Sequence, residues 1–103
     1  MSITISIVDN TQYCMDNNLF TVELYGDKEV YNFPFEMRLA NANFEAFWRS
    51  LGLEFDYGGR MDPRIIESVL DEKVPERNTG WYPDQLREIV AEAIRRGKEI
   101  FWN

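Results

Sequence analysis

The stretch that decides the fold is residues 19–39, "LFTVELYGDKEVYNFPFEMRL". Phe20, Val22 and Leu24 alternate with polar residues, which is the period of a half-buried strand. After Gly26-Asp27 the alternation resumes. Tyr31, Phe33, Phe35, Met37 and Leu39 share one face, and Val30, Asn32, Pro34, Glu36 and Arg38 share the other. A two-residue Gly26-Asp27 turn sets Val22 opposite Tyr31 and Phe20 opposite Phe33. Both runs then show the same apolar face to a core. Pro34 removes a ladder donor, which predicts an edge strand or a bulge at that point.

Outward from this hairpin the pattern extends in both directions. Ile3, Ile5 and Ile7 of "SITISIV" alternate with Ser and Thr and predict a first strand. "DNTQYCMDNN" reads as a turn or long loop, because its Asp and Asn side chains bond their own backbone. Phe44, Phe47, Trp48 and Leu51 fall at helical spacing and predict a helix over 42–51, with Asn41 or Asn43 as N-cap and Gly52 as C′ residue. "EFDYGGR" reads as a loop. "DPRIIESVLDE" reads as a helix with Asp62 as N-cap and Pro63 at its first position. "PERNTGWY" is a second loop. Leu86, Ile89, Val90, Ala93 and Ile94 mark a helix over 83–96, ended by Gly97 and complemented by Arg95, Arg96 and Lys98 at its negative pole. "EIFWN" closes as a short strand.

The expected fold is therefore α+β in one domain spanning 1–103. An antiparallel three-stranded meander is followed by three helices and a short C-terminal strand, β-β-β-α-α-α-β.

Composition bounds the function. The chain has 103 residues and a formal net charge of −7. Its aromatic and β-branched content supports a real core without staples. The acidic balance disfavours direct nucleic-acid binding and favours steering toward basic protein partners. Residues 1–36 are the most acidic part, with six acids against Lys28. No apolar run approaches the ~20 residues that span a bilayer. No basic segment precedes an apolar run at the N-terminus, and Cys14 is the single cysteine. A cytoplasmic protein without membrane partners is expected.

There is no histidine, which removes the commonest general base, the Ser–His and Cys–His nucleophile pairs, and His-based zinc sites. No immediate sequence neighbour of Cys14 carries a positive charge to activate it. "DYGGRMDP" resembles a phosphate loop only in its glycines and Arg60, since Asp56 and Asp62 would repel an anion. The same stretch fails as a calcium loop, with Arg60 and Met61 where a ligand and a glycine are needed. No cofactor or metal is expected.

Six aromatics on stripes (Phe20, Phe33, Phe35, Phe44, Phe47, Trp48) are assigned to the core. Those in punctuated segments, Phe55, Tyr57, Trp81, Tyr82 and Trp102, together with Asp56 and Arg60, are the expected partner-binding residues. The resulting expectation is a small acidic, non-enzymatic protein-binding module. It would be of the inhibitor, immunity or anti-defence type carried by phages, plasmids or toxin operons. Such a protein would occlude a basic surface of a nucleic-acid-handling protein. One alternative is an assembly component that dimerises through an edge strand, with "EIFWN" as the pairing segment. A lesser one is an enzyme using Asp or Glu.

Overall fold

The computed structural model describes residues 1–76 and 80–103. Part of the loop expected over 75–82 thus lies outside the described residues. The chain is α+β, and its elements are β1 (Ser2–Ile7), α1 (Asn10–Asp16), β2 (Thr21–Tyr25), β3 (Lys28–Asn32), β4 (Glu36–Ala40), α2 (Asn41–Ser50), β5 (Gly59–Met61), α3 (Pro63–Lys73), α4 (Trp81–Arg96) and β6 (Ile100–Trp102).

Four strands form one antiparallel sheet in the order β4-β1-β6-β5. Alternation along β1 sends Ile3, Ile5 and Ile7 to the core face, where all three are buried. The register continues that face across the sheet: Met37 lies beside Ile5, Ile5 beside Trp102, and Trp102 beside Gly59. Helices α2 and α4 cover this face, and α3 packs on α4. Phe44 and Trp48 of α2 are fully buried, and their rings stack at 5.0 Å. Helix α2 ends as its sequence implies. Gly52 takes φ 73, Gly52 N–H donates to Arg49 and Leu53 N–H to Trp48, which is a Schellman closure. Asp62 caps α3, accepting from Arg64 N–H at 2.9 Å. The far end of α3 is capped from α4, where Arg87 donates to the carbonyls of Leu70 and Val74 and pairs with Asp71.

Five expectations need correction. "DNTQYCMDNN" contains helix α1. Its inward face is Asn10 and Cys14, one turn apart, and so lacks an apolar stripe to announce it. The strand expected across Pro34 is two strands. Phe35 takes the left-handed φ of 61°, unusual for a bulky residue, and its carbonyl is held by Ser6 Oγ at 2.9 Å. The chain therefore turns out of β3 before entering β4, and β2–β3 forms a separate two-stranded sheet. Asn41 and Asn43 do not cap α2, which begins after Ala40 with no side-chain cap. "EFDYGGR" ends in β5. Finally, β6 lies inside the sheet, paired with β1 on one flank and β5 on the other. Its backbone is satisfied on both sides, so "EIFWN" has no open edge for pairing with a second copy.

The second glycine of "EFDYGGR" has a packing reason. A Cβ on Gly59 would stand 2.7 Å from Cζ2 of the Trp102 indole. That indole cannot step aside. It sits 5.0 Å from the Trp48 ring, and its Nε1–H donates to the Asp56 carbonyl at 2.9 Å. Gly59→Ala should cost about 1–3 kcal/mol through overpacking. Urea unfolding followed by circular dichroism measures it, and an unchanged midpoint would show that the indole moves freely.

Candidate protein-docking surface

The β2–β3 hairpin is an arm. Every residue of both strands is exposed, and no ladder joins them to the main sheet. The molecule is correspondingly long, 45 Å against 30 and 26 Å. The turn forms because Gly26 accepts φ 64, with Tyr25 opposite Lys28. The observed register pairs Val22 with Tyr31, as the sequence predicts, and Leu24 with Glu29. One face then carries Phe20, Val22, Leu24, Glu29, Tyr31 and Phe33. The ring of Phe20 meets Tyr31 at 5.6 Å and Phe33 at 6.2 Å. Thr21, Glu23, Tyr25, Lys28, Val30 and Asn32 form the other face.

The expected core face of this hairpin is thus open to solvent. Leu24 is 72% exposed, and Val22 and Tyr31 44% each. The arm holds Glu23, Asp27 and Glu29 against Lys28, so apolar surface and negative charge coincide. On each face a tyrosine donates to the glutamate two residues before it: Tyr25 to Glu23 at 2.6 Å, and Tyr31 to Glu29 at 3.1 Å. Each of these bonds raises the pKa of its tyrosine, because phenolate formation beside a carboxylate is disfavoured.

The root of the arm is tied to the body by a polar network. Leu19 N–H donates to Cys14 of α1 at 2.8 Å. Buried Asn10 donates to the Pro34 carbonyl at 2.9 Å, while its Oδ1 accepts from Arg96 at 2.9 Å and from the Cys14 thiol. The Arg96 guanidinium lies 3.6 Å from the Tyr13 ring centroid and 5.2 Å from that of Phe35. It donates to Glu92 at 2.6 Å. Glu92 also accepts from Arg95 at 2.7 Å, and its pKa falls to about 2, chiefly through the Arg95 hydrogen bonds with Arg96 adding to them. Arg96 supplies a cation near Cys14 that sequence neighbours do not. Desolvation nevertheless outweighs it and leaves the thiol pKa raised, the opposite of an activated nucleophile.

The residues expected to bind a partner form two groups. Phe55 leans on Phe44 at 5.9 Å and meets Tyr57 edge-on at 4.8 Å, with Arg49 5.2 Å above its ring. Tyr57 is 53% exposed beside them, and Asp56 offers its carbonyl to Trp102. Trp81 is 55% exposed and touches Tyr82 at 5.3 Å, which in turn rests on Phe47. The groups lean on different residues of α2, the first on Phe44 and the second on Phe47. Arg60 is paired with Phe101, on the sheet face away from the core. Trp102 is a correction: at 4% exposed it is a core side chain, because β6 is interior.

Sequence reasoning missed the arm, Val22, Leu24, Tyr25, Val30 and Tyr31 above all. One signal could have found it. The register that sets Val22 opposite Tyr31 also sets Leu24 opposite Glu29, a carboxylate on the face assigned to the core.

On the body, a cleft of ≈ 360 Å³ lies between the start of α3 and the end of α4. It is of mixed charge, with Asp62 and Glu99 beside Arg64 and Lys98, and Asp62 is engaged as the α3 cap. Among the described residues no three potential metal ligands stand together, and no helix is long and apolar enough to cross a membrane.

Fold and surface together define an α+β protein carrying a free β-arm. No family model, curated protein or solved structure matches the chain.

Proposed function

We propose that the chain is a non-enzymatic protein-binding module that docks through the β2–β3 arm onto a basic surface of another protein. On this reading it acts as an inhibitor of the immunity or anti-defence kind, covering a surface that its partner uses for nucleic acid. The supporting observation is the arm itself. A lone two-stranded hairpin is marginal in water, yet this one holds exposed leucine, valine and tyrosine on a tethered root. Aromatic and aliphatic side chains ringed by charge are the composition of an interface centre. Its excess of acid over Lys28 selects a basic partner and disfavours a second copy of the same acidic arm. The buried thiol with a raised pKa and the absence of histidine favour binding over catalysis.

The test is differential capture from lysate. Leu24→Asp alters a mostly exposed site outside the core and sets a second carboxylate opposite Glu29, so it should cost no more than about 1 kcal/mol of stability. A protein retained by the parent chain, lost with Leu24→Asp and eluted near 1 M salt, where the Debye length is about 3 Å, supports the reading. The purified partner should then bind the variant at least about 30-fold more weakly, as for an interface hot spot. Retention indifferent to both the substitution and salt removes the arm from the interface. Simultaneous binding of nucleic acid and this chain to the partner defeats occlusion.

A further inference from the structure

The geometry points to arginine as the side chain that the arm receives, an inference that rests on the arm being the docking surface. We infer that Glu23–Tyr25 and Glu29–Tyr31 are two receptacles for arginine side chains of the partner. In each pair the tyrosine hydroxyl occupies one lone pair of the carboxylate. An ionised carboxylate has about four such sites, so each glutamate can still accept further hydrogen bonds. Beside it stands a solvent-exposed aromatic ring. A carboxylate bonded to the hydroxyl of an exposed tyrosine offers a guanidinium both an acceptor and a neighbouring ring, and a guanidinium donates in a planar fork and stacks on aromatic surfaces. A lysine ammonium matches only the charge.

Elsewhere in the chain guanidinium groups already bridge a carboxylate and a tyrosine. Glu92 and Tyr13 hold Arg96, through a 2.6 Å hydrogen bond to the carboxylate and a 3.6 Å approach to the ring centroid. Arg95 donates to the same Glu92 and to the Tyr13 hydroxyl at 2.9 Å. On the arm a carboxylate and a tyrosine stand together with no guanidinium, joined by the tyrosine's own hydrogen bond, and Lys28, opposite Tyr25 on the Glu23 face, is the single basic residue between Thr21 and Asn32.

The two pairs lie on opposite faces. Alternation puts Glu23 and Tyr25 on one side and Glu29 and Tyr31 on the other. The partner is therefore a protein with a groove that takes the arm between arginines on both walls. A second copy offers scattered exposed arginines such as Arg38 and Arg60, but its net charge of −7 sets it against the acidic arm.

The experiment titrates the full chain, isotopically labelled for amide NMR, with a peptide of nine arginines and separately with one of nine lysines. The arginine peptide should move the amides of residues 21–32 and bind about tenfold tighter than the lysine peptide. In the double variant E23Q/E29Q the two peptides should bind alike. Equal affinities for the parent chain overturn the arginine assignment and leave the protein-binding reading standing. Shifts confined to other surfaces overturn both the assignment and the arm as docking site. Arm shifts that grow with protein concentration in the absence of peptide overturn both in favour of self-association. The parent-chain comparison decides the matter even if the variant fails to fold.

Discussion

Trp48→Ala should lower the stability of the chain by about 3–5 kcal/mol. The side chain is fully buried at the centre of the aromatic layer. Its rings lie 5.0 Å from Phe44, 5.0 Å from Trp102 and 6.4 Å from Phe47, so truncation opens a cavity that stiff rings cannot collapse to fill. A domain of this size has roughly 5–15 kcal/mol in total, so the variant should be partly unfolded or close to it. Trp48→Phe should be milder. Its loss of packing is offset in part because Nε1 is buried with no hydrogen-bond partner among the described residues. Urea denaturation followed by far-ultraviolet circular dichroism gives both values. A loss below about 1.5 kcal/mol for the alanine variant would show that α2 does not anchor the sheet.

The second large effect concerns Glu92 and acid. Its folded pKa of about 2 lies below its ordinary value of 4.5. A depressed carboxylate pKa contributes stability that is present above the ordinary value and is lost as pH falls through the folded one. The window is therefore about pH 4.5 down to 2. At 1.36 kcal/mol per unit the shift could contribute at most about 3 kcal/mol. Arg95 is mostly exposed, and solvent screening brings the expectation to about 1–2 kcal/mol. Glu92→Gln at neutral pH should cost about the same, roughly 2 kcal/mol, because like protonation it leaves Arg96, 4% exposed, charged without its carboxylate. As pH approaches 2 the parent and the variant should converge, since protonation removes the same charge. Stability curves that stay parallel down to pH 2 would assign the loss to shape and not to charge. The variant should also loosen the arm, since Arg96 holds Asn10 and Asn10 holds the Pro34 carbonyl.

What could be read from the sequence was local. Helix α2 and its closure were legible because Gly52 and Leu53 are adjacent in sequence to the turn they cap. Asp62-Pro63 announced α3 for the same reason. The arm's internal register was legible too, since a two-residue turn fixes it. Whether its apolar face meets a core depends on Phe35, whose φ of 61° redirects the chain and is set by contacts from Ser6, far along the sequence. Strand β5 was hidden because only the distant Trp102 explains Gly59. Of the candidate site, Tyr57 and Trp81 are exposed where loop aromatics were expected. Trp102 is not, because the position of the last strand in the sheet is decided by pairing across the whole chain.

The interior position of β6 also bears on how the molecule is made. Synthesis runs from the amino end, so β1 emerges before β4 and can join it once Ala40 is free. Its other flank has no neighbour until residues 100–102 follow. Strand β5 depends on the same three residues. The nascent chain therefore carries an open sheet flank, and a Trp48 without its Trp102 neighbour, until residues 100–102 emerge. Both flanks close in one event, when β6 enters between β1 and β5.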